Sequence, residues 1–289
     1  MLRGRVIKFY NSFFFVKVDD EIIPCKLRGL LKRDKKIGSA VCVGDFVEIS
    51  KLNDKSGVIE KVQSRRNFLI RPLVANVDRV ILTFAVDAPK LHPLLLNRFL
   101  ALAEKSAPDE IIICVNKIDL ADDRNFLSEY EPLYKVVRVS ALTGEGLDDL
   151  RKILSAGVTV LAGPSGVGKS SLLNAVDKNL RLKVGSVSEK ILRGKHTTRI
   201  TELLTFGGGF LVDTPGFSAV DLVDAGIDKN NLRLCFKEFG AFANDCKFMN
   251  CSHSHEPDCA VKAAVDSGKI LRERYESYST LLEEISTQR

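Results

Sequence analysis

The stretch Gly163-Pro164-Ser165-Gly166-Val167-Gly168-Lys169-Ser170 matches the pattern G-x-x-x-x-G-K-[ST]. It lies between an apolar strand predicted over 159–162 and a helix predicted over 170–175. Its glycines allow the backbone N–H groups to wrap around phosphate oxygens, and the helix N-terminus adds partial positive charge. We expect Lys169 to contact the β- and γ-phosphates of a nucleotide and Ser170 to bind Mg²⁺. The alternative, a glycine-rich turn that carries Lys-Ser by chance, leaves the flanking strand and helix unexplained.

A second motif, Asn116-Lys117-Ile118-Asp119, follows the predicted strand 111–115 upstream. Guanine presents two donors, N1–H and the N2 amino group, on one edge, and the Asp119 carboxylate can accept from both. We expect Asn116 to tie this loop to the phosphate loop, and the Lys117 stem to cover the base. Such a motif alone is more typical of a surface turn, but a second base-reading segment after another strand and the phosphate loop downstream favour guanine binding.

Two further segments fit the same nucleotide site. Ser140-Ala141-Leu142 follows the predicted strand 136–139 and offers backbone N–H groups to guanine O6. Asp213-Thr214-Pro215-Gly216 follows the predicted strand 210–212, where Asp213 would face Mg²⁺ and the Gly216 N–H would contact the γ-phosphate. By itself the latter is equally typical of a β-turn.

The polar loop 194–199 can act as a first switch. One of Thr197 and Thr198 would complete the coordination of Mg²⁺, and we favour Thr198. Phe217 stands where many GTPases place a glutamine that orients water, so intrinsic turnover is expected to be slow. His196 is a candidate to orient that water, with loop packing as the alternative role.

A metal site is predicted from the spacing Cys-x4-Cys-x-His-x5-Cys, formed by Cys246, Cys251, His253 and Cys259. Three thiolates and one imidazole are a common set for structural Zn²⁺. His255 is a competing ligand. Seven cysteines without a secretion signal argue against a disulfide framework, and reduced cysteines in a small core fit poorly with the polar residues around them.

The chain divides into three predicted segments, so the expected fold is multidomain. Residues 1–65 read as five short strands of a β-barrel, for which an OB-fold is predicted and an SH3-like barrel fits nearly as well. Residues 66–220 alternate buried strands with helices, which indicates an α/β domain with a parallel sheet. Residues 221–289 read as a helical zinc-binding domain.

The positive charge is concentrated in the barrel segment. The whole chain carries a net charge of +6, residues 1–66 a net +7 and the remainder −1. This distribution favours a polyanionic partner, although a solvated lysine-rich domain is as common. No apolar run approaches the ~18 residues of a membrane span. We therefore expect a cytoplasmic protein, monomeric and without a membrane partner.

The order of the motifs is unusual, because an ordinary GTPase begins with the phosphate loop and ends with the base-reading motifs. The chain resembles the circularly permuted GTPases, and in particular the ribosome small-subunit-dependent GTPase A family (RsgA, also called YjeQ or YloQ). The matching segments are the phosphate loop through Ser171, His196-Thr197-Thr198, 213–217 and the Cys/His block. One departure is Asn97, where an acidic residue is expected.

The resemblance implies an Mg²⁺-dependent GTPase that converts GTP to GDP and phosphate, with one structural zinc ion bound by His253 rather than His255. It further implies binding to the small ribosomal subunit and its rRNA late in maturation, with hydrolysis stimulated by the ribosome and coupled to release. A regulatory GTP-dependent binding module with incidental hydrolysis is the alternative. An ATP-dependent kinase is disfavoured by Asp119.

Overall fold

The N-terminal segment forms a closed barrel of five strands in the order β1-β2-β3-β5-β4. The structure is a computed structural model, and it describes residues 1–29, 41–53, 56–70, 72–121, 127–177, 180, 202–212 and 221–287. The barrel strands are β1 Leu2–Tyr10, β2 Phe13–Val18, β3 Glu21–Leu27, β4 Phe46–Asn53 and β5 Ser56–Val62. Parallel pairing of β3 with β5, in a barrel closed between β1 and β4, is the OB-like arrangement.

Alternation of apolar and polar residues explains the barrel. In β2, Phe14, Val16 and Val18 are buried, whereas the residues between them are partly exposed. A pleated strand points successive side chains to opposite faces, so these three point into the barrel core. The OB-fold prediction is confirmed.

A six-stranded sheet forms the centre of the molecule, in the order β10-β9-β8-β11-β13-β12. Its strands are β8 Arg79–Ala85, β9 Glu110–Asn116, β10 Lys135–Arg138, β11 Val158–Ala162, β12 Leu203–Phe206 and β13 Gly209–Val212. All neighbours are parallel except β12 and β13. A separate antiparallel pair consists of β6 Phe68–Leu69 and β7 Val74–Ala75.

Helices cover both faces of this sheet, as the continuous apolar strands predict. Their bounds are α1 Pro93–Ser106, α2 Leu147–Leu154, α3 Lys169–Val176, α4 Ala260–Asp266 and α5 Arg272–Thr287, with short 3-10 helices at Leu232–Cys235, Lys237–Ala241 and Ala243–Asp245. Buried leucines of α2 and α3 pack on one face, and α1 packs on the other together with the C-terminal helices.

The C-terminal helices share one apolar core with the sheet. Phe236 and Tyr278 belong to the same buried cluster as Val80 and Phe99. Arg274 is fully buried, and it donates to the Glu238 carboxylate from Nε at 2.6 Å and from Nη2 at 2.8 Å. It also donates to Asn97 Oδ1 on α1 at 3.0 Å. Asn97, the departure from the family pattern, in turn donates to Ser277 Oγ at 2.8 Å.

The segment between barrel and sheet is a structured junction. The sequence predicts a linker over 65–72, yet strand β6 lies within this segment. Arg65 also forms an ion pair with buried Asp45, in which Nε donates to Oδ1 at 2.7 Å and Nη2 to Oδ2 at 2.8 Å. The barrel also reaches β12, because Lys8 forms an antiparallel bridge with Glu202. In the part of the chain that the structure describes, every helix is too short or too polar to span a lipid bilayer.

Candidate nucleotide and metal sites

The predicted nucleotide motifs follow the carboxyl ends of neighbouring parallel strands. Residues 116–119 begin at the last residue of β9, 140–142 come after β10, and 163–170 run from the end of β11 into the first turn of α3. Ligands of open α/β sheets bind outside this edge. The topology therefore brings three segments that are distant in sequence to one place.

Two glycines of the phosphate loop have a strict steric role. Gly163 has φ 145, and a Cβ there would lie 2.0 Å from Thr83 O on β8. Gly168 has φ 90, and a Cβ there would lie 2.4 Å from Asn116 Nδ2. Both positions combine a left-handed backbone with close packing, so only glycine fits.

Lys169 and Ser170 lie at the first turn of α3. The Lys169 Nζ donates to Gly163 O and Pro164 O, both at 2.7 Å, which holds the ammonium group over the loop. Ser170 is buried at the helix start. The arrangement presents a cation, a hydroxyl and a helix N-terminus together, a set suited to phosphate and Mg²⁺.

Asn116 connects all three segments. It is 1% exposed; its Nδ2 donates to Val167 O at 2.8 Å and its Oδ1 accepts from the Ala141 N–H at 3.1 Å. One side chain thus joins the base-reading loop to the phosphate loop and to the segment after β10.

Lys117 crosses from the base-reading loop to the phosphate loop. Its Nζ donates to Gly166 O at 3.0 Å and to Ala88 O. Its backbone has φ 64, a left-handed conformation that turns the chain sharply after β9. The aliphatic stem therefore lies across the space between the two loops.

Ser140 has a role that the sequence does not reveal. Its hydroxyl lies 2.5 Å from Asp119 Oδ1 and accepts from the Thr143 N–H at 3.0 Å. The Ser140 N–H, predicted to face guanine O6, donates instead to Glu145 O at 3.0 Å. The hydroxyl fixes the Asp119 carboxylate, and no sequence motif signals this contact, because it depends on β10 lying beside β9.

Several predicted site residues lie outside the described residues. These are His196, Thr197, Thr198, Asp213 and Gly216. The described chain resumes with Glu202, which precedes β12, and breaks off at Val212, which ends β13.

The four predicted metal ligands converge. Cys246 Sγ lies 3.9 Å from Cys259 Sγ and 3.6 Å from His253 Nδ1, and Cys259 Sγ lies 3.4 Å from His253 Nδ1. With Cys251 Sγ, all ligand atoms lie within 4.8 Å of one another. Tetrahedral zinc with bonds of ~2.3 Å to sulfur and ~2.0 Å to nitrogen requires S···S of ~3.8 Å and S···N of ~3.5 Å. The donor set therefore fits Zn²⁺. His255 lies outside the cluster, with its Nδ1 on Ser254 Oγ at 3.0 Å.

Hydrogen bonds hold the loop that carries these ligands. The Glu256 carboxylate accepts from the Ser252 N–H at 2.6 Å and the Ser254 N–H at 3.2 Å. Burial opposes ionisation of Glu256, but these donors outweigh it and lower its pKa to about 2. Burial also raises the pKa of the Cys251 thiol to about 12, a penalty that a coordinated dication offsets. The Tyr275 hydroxyl donates to His253 O at 2.8 Å.

Comparison with known proteins agrees with this arrangement. Residues 62–223 match the family model described as RsgA GTPase, and residues 3–59 match the RsgA N-terminal domain. A protein of Caldanaerobacter subterraneus named small ribosomal subunit biogenesis GTPase RsgA is 43% identical, over 98% of this chain and 96% of its own length. The chain belongs to the RsgA family.

Other RsgA proteins and structures extend over the same length. An RsgA of Clostridium perfringens is 44% identical, over 100% of this chain and 99% of its own. The crystal structure of YjeQ from Thermotoga maritima has a TM-score of 0.84 at 39% identity, covering 100% of this chain and 99% of that one. The structure of YloQ, described as a circularly permuted GTPase, has a TM-score of 0.81 at 35% identity, covering 100% and 96%. The RsgA fold, a barrel followed by a circularly permuted GTPase sheet and a Cys/His segment, is therefore the fold of this chain.

Proposed function

We infer that this chain hydrolyses GTP and acts in the biogenesis of the small ribosomal subunit. The single observation that carries this function is family membership over almost the whole length, since the relatives bear that name. The geometry agrees with it, because Asn116 bonds both the phosphate loop and the segment after β10.

For the base, we propose that Asp119 accepts from guanine N1–H and N2, while Asn116, Lys117 and Ile118 form the rest of the pocket with Ser140 and Ala141. The Ser140 hydroxyl on Asp119 supports this role, because it fixes the carboxylate as an acceptor. An adenine ring would present its own N1 acceptor to that carboxylate.

For the phosphates, we propose that residues 163–171 wrap the triphosphate and that Lys169 contacts its β- and γ-phosphates. Ser170, Thr198 and Asp213 would hold Mg²⁺, which neutralises charge on the phosphates when bound. Gly216 would contact the γ-phosphate, and His196 would orient the attacking water. These roles rest on the motif pattern and, for Lys169, on its position over the loop.

Hydrolysis measured with and without purified small subunits tests the function. We expect slow basal turnover, a marked rise with subunits, and competition by GDP but not by ATP. Turnover that subunits leave unchanged would favour the alternative, a GTP-dependent binding module with incidental hydrolysis. Competition by ATP as strong as by GDP would contradict the assignment of the base.

The barrel is the proposed contact to rRNA. Its β1–β2 hairpin turns at Asn11 and Ser12, both with positive φ, and leaves Phe9 38% and Tyr10 45% exposed. Lys26 Nζ lies 5.1 Å from the Phe13 ring centroid. Exposed aromatic rings beside cations suit unpaired bases and phosphates. We expect binding to the small subunit to weaken steeply between 50 and about 200 mM salt, and binding insensitive to salt would contradict the rRNA contact.

We also propose that residues 1–65, 66–220 and 221–289 act as the barrel, GTPase and zinc-binding units of a cytoplasmic monomer. The closed barrel and the clustered zinc ligands support the outer two units. Size-exclusion chromatography with light scattering tests the monomeric state, and a dimer at micromolar concentration would overturn it.

A further inference from the structure

The two edges of the central sheet differ in their surroundings. At one edge the barrel reaches β12, where Lys8 Nζ lies 2.9 Å from Glu202 Oε2. At the other edge lies β10, and among the described strands only β9 pairs with it. An open edge presents backbone donors and acceptors to which a further strand can pair.

The backbone of β10 offers such a pair at Val136. The Val139 N–H donates to Val115 O at 2.8 Å, on the β9 side. Backbone groups of successive strand residues alternate between the two sides, so the N–H and C=O of Val136 point away from β9. They are positioned to bond a strand laid along the outer edge.

A groove of about 460 Å³ follows this edge, between β10 and α2. Its lining mixes aliphatic and charged side chains: Val136, Val137, Ile153, Lys135, Arg138, Lys152 and Asp149. Lys152 Nζ lies 3.0 Å from Asp149 and Lys135 Nζ 3.9 Å from Glu110, in pairs that are largely exposed. Exposed pairs of this kind are weak, so both lysines can exchange their partners for carboxylates of a ligand.

The charged side chains that line the groove favour one kind of ligand over the others. A second copy that paired β10 with β10 would bring the cationic side chains Lys135, Arg138 and Lys152 of both copies to one edge, which is unfavourable. A nucleic-acid backbone would bring its phosphates close to the Asp149 carboxylate, which repels them. It also has no peptide strand that could pair with the N–H and C=O of Val136. An extended peptide with carboxylates can bond both the outward N–H and C=O of Val136 and the lysines.

We propose that the groove between β10 and α2 binds an extended acidic segment of a protein, which joins the sheet as a strand beside β10. The partner is a protein component of the small-subunit particle, so the proposal rests on the proposed function. It adds a protein contact on the GTPase sheet to the RNA contact of the barrel.

Site-specific photo-crosslinking to purified small subunits tests the proposal. A benzophenone side chain at Asp149 lies in the groove, and one at Tyr10 in the barrel reports whether the complex forms. We expect the Asp149 position to cross-link to a protein. Adducts to RNA or to a second copy, or none while Tyr10 cross-links, would overturn the groove assignment. No adduct at either position would contradict the proposed function and this assignment together.

Two variants at Val136 test whether the cross-linked partner pairs with β10 as a strand or only lies close to it. Val136→Pro removes the outward N–H at an edge position where proline is tolerated, whereas Val136→Thr keeps it. We expect the cross-link to fall at least about fivefold in Val136→Pro alone, with basal hydrolysis unchanged in both. Equal cross-linking in the two variants would exclude strand pairing.

Charge reversal provides a second variant set. Lys135→Glu with Lys152→Glu is expected to reduce the same cross-link about tenfold. Lys229→Glu with Lys269→Glu, at exposed positions that do not line the groove, is expected to leave it unchanged. If the groove variant cross-links like its control, the partner does not bind through carboxylates.

Discussion

At the scale of single residues, the Asp119 carboxylate and the Ser140 hydroxyl form the part of the site that can select guanine. Asp119→Asn replaces one acceptor with a donor, so guanine N1–H and N2 lose a partner while xanthine, with an oxygen at position 2, gains one. We expect affinity for GTP to fall about 100-fold or more and affinity for xanthosine triphosphate to rise. Fluorescent-nucleotide titration measures both, and an unchanged preference for GTP would remove Asp119 from the base pocket.

Gly168 allows a second prediction at this scale. Gly168→Ala places a Cβ 2.4 Å from Asn116 Nδ2 and should displace the side chain that joins three segments. Gly268, with φ 72, has open space around its Cβ position, so Gly268→Ala carries the backbone strain alone. Backbone strain should cost both variants about 1 kcal/mol of stability, and the clash with Asn116 should add to this loss in Gly168→Ala. Only Gly168→Ala should also lose nucleotide affinity, and equal affinities would show that Asn116 tolerates the displacement.

The residue roles that could be predicted were those that depend on residues close together in the sequence. The phosphate loop and the Cys/His set are short, and their chemistry is readable from spacing. The hydroxyl of Ser140 acts on Asp119 across two strands, 21 positions apart, so no local pattern records it. Asn97 is fully buried on α1 and contacts Arg274 on α5, 177 positions away, so no local pattern records this contact either.

At the scale of elements, one buried ion pair joins Arg274 on α5 to Glu238 on the 3-10 helix Lys237–Ala241. Arg274→Leu leaves Glu238 without its partner in a nearly buried position. Breaking such a pair costs about 3–5 kcal/mol, so we expect a large loss of thermal stability. Arg272→Leu, at an exposed position of the same helix, should change stability by less than about 0.5 kcal/mol. Denaturant unfolding compares the two, and similar midpoints would show that the buried pair contributes nothing.

The strands and helices themselves were largely predictable, because apolar alternation specifies the barrel and continuous apolar runs specify the sheet. The junction was not, since Arg65 and Asp45 pair across 20 positions and β6 is only two residues long. Two-residue strands carry no periodic signal.

At the scale of the whole molecule, the zinc-binding segment and the sheet share a core, to which the metal ligands Cys251 and Cys259 belong. We expect a strong chelator to raise hydrogen exchange in residues 221–270 first, while GTP binding persists. Mass-spectrometric exchange with a nucleotide titration resolves the two events. Simultaneous loss of protection in β8 and β11 would show that the metal stabilises the GTPase sheet as well.

The bond between Arg274 and Asn97 also bears on how the protein is made. These residues are 177 positions apart, and Asn97 lies on the first helix of the central sheet. During synthesis, almost two thirds of the chain must still be made after Asn97 before the partner of that helix emerges. Until then the apolar surface of α1 is uncovered, which is the situation in which nascent chains require chaperones. A GTPase that acts on ribosomal particles thus completes its own core only when its last helix leaves a ribosome.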